Sequence, residues 1–205
     1  MGTQVLILAA GEATRFNGVV KQLLRVGDET ILDRIIRQAI EKDLQPLVST
    51  VNDEIKERLG VYHVPYNHAT VCDTFLSTLP LWQERTIILL GDVIYSNGTF
   101  NAIMDCTDPI RVFGNTWEIF AVTFDETVYV KVARTLEEVI QKGLDKLRYF
   151  YKVYCGFDPY CDEIEATPLE KTVFWYVHDW TCDIDEQYKY DNLRREVIDR
   201  GILNL

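Results

Sequence analysis

Apolar residues along this chain fall into two kinds of run, and the two alternate. The first kind is short and unbroken. Residues 4–10, QVLILAA, and residues 86–90, TIILL, are of strand length, and such runs suit strands covered on both faces within a parallel sheet. The second kind is periodic. Apolar groups stand at 31, 32, 35, 36, 39, 40 and 44, the spacing of one helix face over residues 31–44. Thr30 is placed to cap that helix at its start.

The same pattern predicts a strand over 45–51, a short helix over 53–59, a third strand at 61–64, and a helix within 70–82 that carries Val71, Phe75, Leu79 and Trp82. Through residue 90 the order is then β-α-β-α-β-α-β. That order predicts an α/β fold with a doubly wound, mostly parallel, Rossmann-like sheet. Further on, strands are expected at 111–113 and 118–124 as a candidate antiparallel pair. A helix is expected over 134–148, a strand over 172–177 and a closing helix over 186–201 that ends at Gly201. Residues 151–170 carry no clear pattern. No repeat, low-complexity stretch or linker divides the chain, so one domain is expected over residues 1–205.

Charge narrows the partners. The formal net charge is -11, which disfavours nucleic acid while leaving room for a small phosphorylated ligand in a locally positive site. No run of about 18 apolar residues is present, so no membrane span is expected. The start, MGTQVLILAAGEATR, has neither the basic opening nor the cleavage site of a secretory signal, and Leu6 breaks the myristoylation pattern. The cytoplasm is the expected compartment. Five cysteines, Cys72, Cys106, Cys155, Cys161 and Cys182, form no CxxC, and His63, His68 and His178 form no metal motif. Reduced thiols are expected, with neither a disulfide framework nor structural zinc.

The candidate chemistry gathers in residues 7–24, ILAAGEATRFNGVVKQLL. An apolar strand runs into Gly11, and Arg15 and Lys21 follow. Ligands of open α/β sheets bind beyond the carboxyl ends of strands. Ala9, Ala10 and Gly11 let a ligand approach the backbone, and Gly11 can take a positive φ that aims successive N–H groups at an anion. Two cations beside such a loop suit a polyphosphate. The Walker pattern fails, because Val19 and Val20 follow Gly18, and the dinucleotide fingerprint fails at Ala13 and Phe16.

LAAGEATRFNGVVKQLL resembles the LAAG-x-G-T-R-(x)n-P-K-x-L signature of the nucleotidyltransferase superfamily with a GT-A-like fold, which includes sugar-1-phosphate, phosphocholine and molybdenum-cofactor enzymes. ERTIILLGDVIY resembles the family's second block, and WTCDIDEQYKYDNL its late D-[IV]-[DG]-T-P-E-D-x block. NTWEIFAVTF falls where such enzymes carry substrate-side strands. Ala13 stands for the family's second glycine, Val20 for its proline, and Glu186-Gln187 where Thr-Pro is usual.

The resemblance implies transfer of a nucleoside monophosphate from a nucleoside triphosphate to a small phosphorylated acceptor, sugar phosphates among them, with release of pyrophosphate. It implies a nucleotide-binding half over about 1–107 and an acceptor-side half over about 108–205. Arg15 and Lys21 are then the catalytic cations. Leu8, Ala9, Ala10, Gly11, Glu12, Ala13, Thr14, Asn67 and Asp73, with Thr70 nearby, form the nucleotide site. Asp92 and Asp183 bind Mg²⁺, with Asp185 as the alternative second ligand or a helix cap. His178-Asp179 is not expected to act as a catalytic dyad. Two other readings stay open: a catalytically weak nucleotide-binding protein, suggested by Ala13, and a nucleotide-sugar glycosyltransferase on the same fold. The nucleobase, the acceptor and the oligomeric state are not readable from the sequence.

Overall fold

The computed structural model describes residues 2–11, 19–160, 173–184, 187–193 and 195. The chain opens with β1 (Thr3–Leu8), and a 3-10 turn at Lys21–Leu23 leads to a small hairpin of β2 (Arg25–Val26) and β3 (Glu29–Thr30). Helix α1 (Ile31–Ile40) starts on a capping box. The Thr30 hydroxyl accepts from the Asp33 amide at 3.1 Å, and the Asp33 carboxylate accepts from the Thr30 amide at 3.3 Å. The helix stops four residues short of the expected 44, where Asp43 takes φ 57° and turns the chain.

Strand β4 (Pro46–Ser49) and helix α2 (Asp53–Leu59) follow, the helix capped by Asn52, which accepts from the Ile55 amide at 3.1 Å. The strand expected at 61–64 reduces to one parallel bridge between Ser49 and His63. His63 pairs in both directions, to the Val48 carbonyl and from the Thr50 amide. The next amide the ladder needs would come from residue 65, which is proline and has none.

Next come α3 (Val71–Ser77), β5 (Arg85–Leu90), β6 (Val93–Ile94), α4 (Asn97–Met104), β7 (Ile110–Gly114) and β8 (Ile119–Asp125). The helix expected over 134–148 is two helices. Helix α5 (Tyr129–Gln141) begins earlier, and α6 (Leu147–Cys155) runs into the stretch where no pattern was visible. Gly143, at φ 68°, makes the break. Strand β9 (Phe174–Tyr176), β10 (Cys182–Asp183) and α7 (Gln187–Leu193) complete the described chain. Residues 186, 194 and 196–201 of the expected closing helix lie outside the described residues. No helix among the described residues is long and apolar enough to cross a membrane.

The main sheet has the order β4-β1-β5-β8-β7-β9. The pairs β4–β1, β1–β5 and β7–β9 are parallel, and β8 is antiparallel to both β5 and β7. Side chains alternate across it. Val5 and Ile7 of β1 join α1, α2 and α4 in one core, while Leu6 and Leu8 join α3, α5 and α6 in the other. The second core centres on Phe75, whose ring lies 5.8 Å from each of Trp82, Phe124 and Phe150.

One short segment returns to the middle of the molecule. Strand β10 pairs antiparallel with β6, Asp183 opposite Val93 and Cys182 opposite Ile94. Asp179 holds this return in place. One of its oxygens accepts from the Ser96 hydroxyl and, at 2.7 Å, from the Thr99 hydroxyl at the start of α4. The other accepts from the Thr181 amide at 2.9 Å, and the Thr181 hydroxyl accepts from the Ser96 amide at 3.0 Å. Burial would raise the Asp179 carboxyl, but these donors hold it below its ordinary value.

Two outcomes are expected. Phe75→Ala should cost about 3–5 kcal/mol in urea denaturation, since it empties the centre of the second core. Asp179 has a folded pKa below its unfolded one, so its stabilisation is complete above the unfolded carboxylate pKa of about 3.9 and is lost as pH falls through the lower folded value. Asp179→Asn should therefore lower stability near neutrality by about 1–3 kcal/mol. It should also make stability less dependent on pH under acid conditions, as read by denaturation midpoints across the acid range.

Candidate active site

The carboxyl ends of β1 and β5 form the floor of a cleft, and backbone bonds fix them. The Gly91 amide donates to the Leu8 carbonyl at 2.9 Å, the Ala9 amide to Ser49 at 2.8 Å, and the Thr50 hydroxyl to Ala9 at 2.9 Å. Gly91 is required by this closeness, because a Cβ there would come 2.9 Å from the Leu8 carbonyl oxygen and 3.1 Å from the Ala9 Cβ. The buried Tyr95 hydroxyl accepts from the Leu90 amide at 3.1 Å and donates to the Phe120 carbonyl at 2.6 Å, tying β5 to β8. Burial holds this phenol well above its ordinary pKa, so it stays a donor.

Asp92 follows Gly91 at the strand end. Lys21, on its 3-10 turn, places its ammonium 3.3 Å from an Asp92 carboxylate oxygen. The pairing of β10 with β6 brings Asp183 to the same place, and the Ile184 amide donates to the Asp92 carbonyl at 3.3 Å. Both aspartates line a cavity of about 740 Å³, a volume in the range of small-molecule sites. Leu8, Ala10, Gly11 and Leu90 give its floor, His68–Val71 and Thr74 one wall, Trp117–Ile119 of the β7–β8 turn a second, and Lys146–Arg148 at the start of α6 a third.

The residues singled out in the sequence divide as follows. Leu8, Ala10 and Gly11 line the cavity, while Ala9 is buried against the α1 core. Gly11 does not adopt the left-handed conformation anticipated for it. Among the described residues no atom stands within 4 Å of where a Cβ would be. Glu12, Ala13, Thr14, Arg15 and Asp185 lie outside the described residues. Asn67 and Asp73 also serve local structure: the Asn67 side-chain Nδ2 donates to an Asp73 carboxylate oxygen at 2.7 Å, and Asp73 completes a capping box with Thr70. Thr70 itself lines the cavity. Asp179 belongs to the strand return described above, and neither it nor His178 lines this cavity.

Trp117, Glu118, Lys146 and Arg148 were not anticipated individually. NTWEIFAVTF is expected on the substrate side, but the apolar spacing over 134–148 hides the two cations inside one continuous helix. Gly143 was the available signal that the helix breaks just before them. Arg148 donates to the Tyr149 hydroxyl at 3.0 Å. Positive charge thus stands on both sides of the sheet, Lys21 in the layer of α1 and Lys146–Arg148 in that of α3 and α5.

Among the described residues no group of three or more His, Cys, Asp or Glu could hold a metal by itself. Asp92 and Asp183 do fit a hard cation that takes its remaining oxygens from phosphate and water, as Mg²⁺ does. The buried Cys72 thiol and the half-buried Cys182 thiol do not suit nucleophilic roles, because desolvation pushes both up to about 12.

The arrangement has relatives among solved structures. A protein assigned as a glucose-1-phosphate thymidylyltransferase from Bacillus anthracis superposes with a TM-score of 0.69 at 13% identity, covering 96% of each chain. A nucleotidyl transferase from Methanothermobacter gives 0.68 at 12%, covering 97% of this chain and 98% of its own. The CTP:phosphocholine cytidylyltransferase of Streptococcus pneumoniae gives 0.65 at 14%, covering 95% and 99%. At these identities the likeness is one of fold. No curated protein matches the chain by sequence. Residues 5–112 match the family model described as the MobA-like NTP transferase domain. They span more than half of the 205 residues and take in the β1 floor, the Lys21 turn and Asp92, and on that match the chain belongs to the MobA-like NTP transferase family.

Proposed function

We propose that this protein transfers a nucleoside monophosphate from a nucleoside triphosphate to a small phosphorylated acceptor and releases pyrophosphate. One observation carries the reading. Asp92 and Asp183, far apart in the chain, stand together at the end of β5, with the Lys21 ammonium on Asp92. Residues 1–107 are then the nucleotide-binding half and 108–205 the acceptor-side half.

In this reaction an oxygen of the acceptor phosphate attacks the α-phosphorus. The bond from that phosphorus to the oxygen bridging toward the β-phosphorus breaks, and pyrophosphate leaves with the electron pair. Both reactants are anions, and the nucleophile is already ionised, so the protein's task is to align them and offset charge. Asp92 and Asp183 would hold Mg²⁺. When bound, the ion neutralises phosphate oxygens around the reacting centre. Lys21 reaches the α-phosphate or the acceptor phosphate from its turn, and Arg15 is assigned to the leaving pyrophosphate, whose paired oxygens suit a guanidinium. The small residues at the end of β1 admit the nucleotide backbone closely, and the wall at Thr70 takes the base. Asp73 shapes that wall by completing the Thr70 capping box of α3, and Asn67 by donating to Asp73.

The test is pyrophosphate release over a panel of triphosphates and phosphorylated acceptors, with and without Mg²⁺. Asp92→Asn and Asp183→Asn should each cut Mg²⁺-dependent release by at least about a hundredfold, and Lys21→Ala by at least about tenfold. Wild-type rates in all three would remove the site from this cleft. Asp73→Ala should behave differently. It should cost about 1 kcal/mol of stability through the lost cap, visible as a lower denaturation midpoint, with release reduced far less than in Asp92→Asn.

A further inference from the structure

The proposed transfer leaves two walls of the cleft without a role, Lys146–Arg148 and the turn between β7 and β8, and the turn carries the more specific chemistry. Its shape is set by backbone contacts. A Cβ on Gly114 would lie 2.2 Å from the Glu118 carbonyl oxygen, so only glycine allows the chain to double back this closely. The Asn115 amide donates to the Glu118 carbonyl at 2.9 Å. The Asn115 side-chain oxygen accepts from the amides of Trp117 at 2.8 Å and Glu118 at 2.9 Å. Held this way, the Trp117 indole stands 56% exposed on the cavity wall. A single exposed aromatic is ordinary on a surface. This one is fixed by a braced turn, faces a cleft, and has a charged pair beside it. The Glu118 carboxylate, also on the wall, lies 3.4 Å from the Lys189 ammonium of α7, and both side chains remain partly exposed.

We propose that this corner binds the non-phosphate part of the acceptor, and that this part is a neutral hydroxylated ring, as in a sugar or cyclitol phosphate. The C–H face of such a ring lies on the indole. Its hydroxyls donate to Glu118 and accept from Lys189, so a carboxylate and an ammonium side by side match neighbouring hydroxyls. A quaternary ammonium would also favour the indole face. It would then meet Lys189, whose like charge opposes it, next to a carboxylate already offset by that lysine. The identification of this ring as the acceptor rests on the transfer reading, but its binding is measurable without turnover.

The experiment is calorimetric titration of α-D-glucose 1-phosphate, α-D-mannose 1-phosphate, myo-inositol 1-phosphate and phosphocholine. Each is run on the protein alone and with a non-hydrolysable triphosphate and Mg²⁺. At least one ring phosphate should bind about tenfold or more tighter than phosphocholine. Trp117→Ala should weaken it by about tenfold or more, as loss of an aromatic anchor does, and Trp117→Phe should largely restore it. Glu118→Gln should weaken the ring phosphate and leave triphosphate-induced thermal stabilisation as in wild type. The proposal is overturned if phosphocholine binds tightest, if no ring phosphate binds in either condition, or if Trp117→Ala binds like wild type. Should it fail while triphosphates still stabilise the protein and the nucleoside monophosphate is transferred to another acceptor with release of pyrophosphate, the transfer reading stands and only the ring assignment falls. Loss of triphosphate binding itself would strike the transfer reading instead.

Discussion

Two carboxylates and one ammonium at the end of β5 are the interaction on which the rest of the site depends. Asp92 arrives on the strand, Asp183 on a two-residue return, and Lys21 on a short turn that leans on Asp92. Bringing two carboxylates together costs repulsion, and the Lys21 ammonium on Asp92 offsets some of it. Such a corner favours a further cation, and a cation held there draws phosphate. The Asp179 hydroxyl cage is the structural counterpart of this chemistry. It has no place in the cleft, yet it anchors the return that brings Asp183 to Asp92.

Topology explains why the other walls meet the same corner. Parallel pairing sets the carboxyl ends of β4, β1 and β5 side by side. Strand β8 runs the opposite way beside β5, so its beginning, near Ile119, lies at that same edge of the sheet. The β7–β8 turn with Trp117 and Glu118 must therefore rise over the cleft. The layer of α3, α5 and α6 delivers Thr70 on one wall and Lys146–Arg148 on another. The sheet order decides which residues can meet, and local capping decides which of their polar groups remain available to a ligand.

What was legible in the sequence follows the same division. Strands β1 and β5, the Thr30 cap and the full span of α2 could be read because local pattern and tertiary burial agree there. The neighbourhood of Asp92 and Asp183 was legible through motif order, although no periodicity links residues so far apart. The extended stretch at 61–64 misled because its apolar pattern is strand-like while Pro65 removes the amide that pairing needs. Val61 and Val64 remain exposed as a result. The helix at 134–148 misled because Gly143 breaks it without disturbing the apolar spacing. Asn67 and Asp73 are expected at the nucleotide, and the contacts they also make, Asn67 to Asp73 and Asp73 to the Thr70 cap, become visible only in three dimensions. Gly11 lines the cavity without the left-handed turn expected of it.

The central claim is that this cleft holds a triphosphate together with Mg²⁺, and thermal unfolding of the wild-type protein with each of the common triphosphates, with and without the ion, tests it most directly. A ligand at 100 times its dissociation constant stabilises by about 2.7 kcal/mol, a rise of roughly 5–10 °C for a chain of this size. The account predicts such a rise for at least one triphosphate, larger with Mg²⁺ than without and absent in Asp92→Asn. No rise with any triphosphate at millimolar concentration, or a full rise that persists in Asp92→Asn, would contradict it.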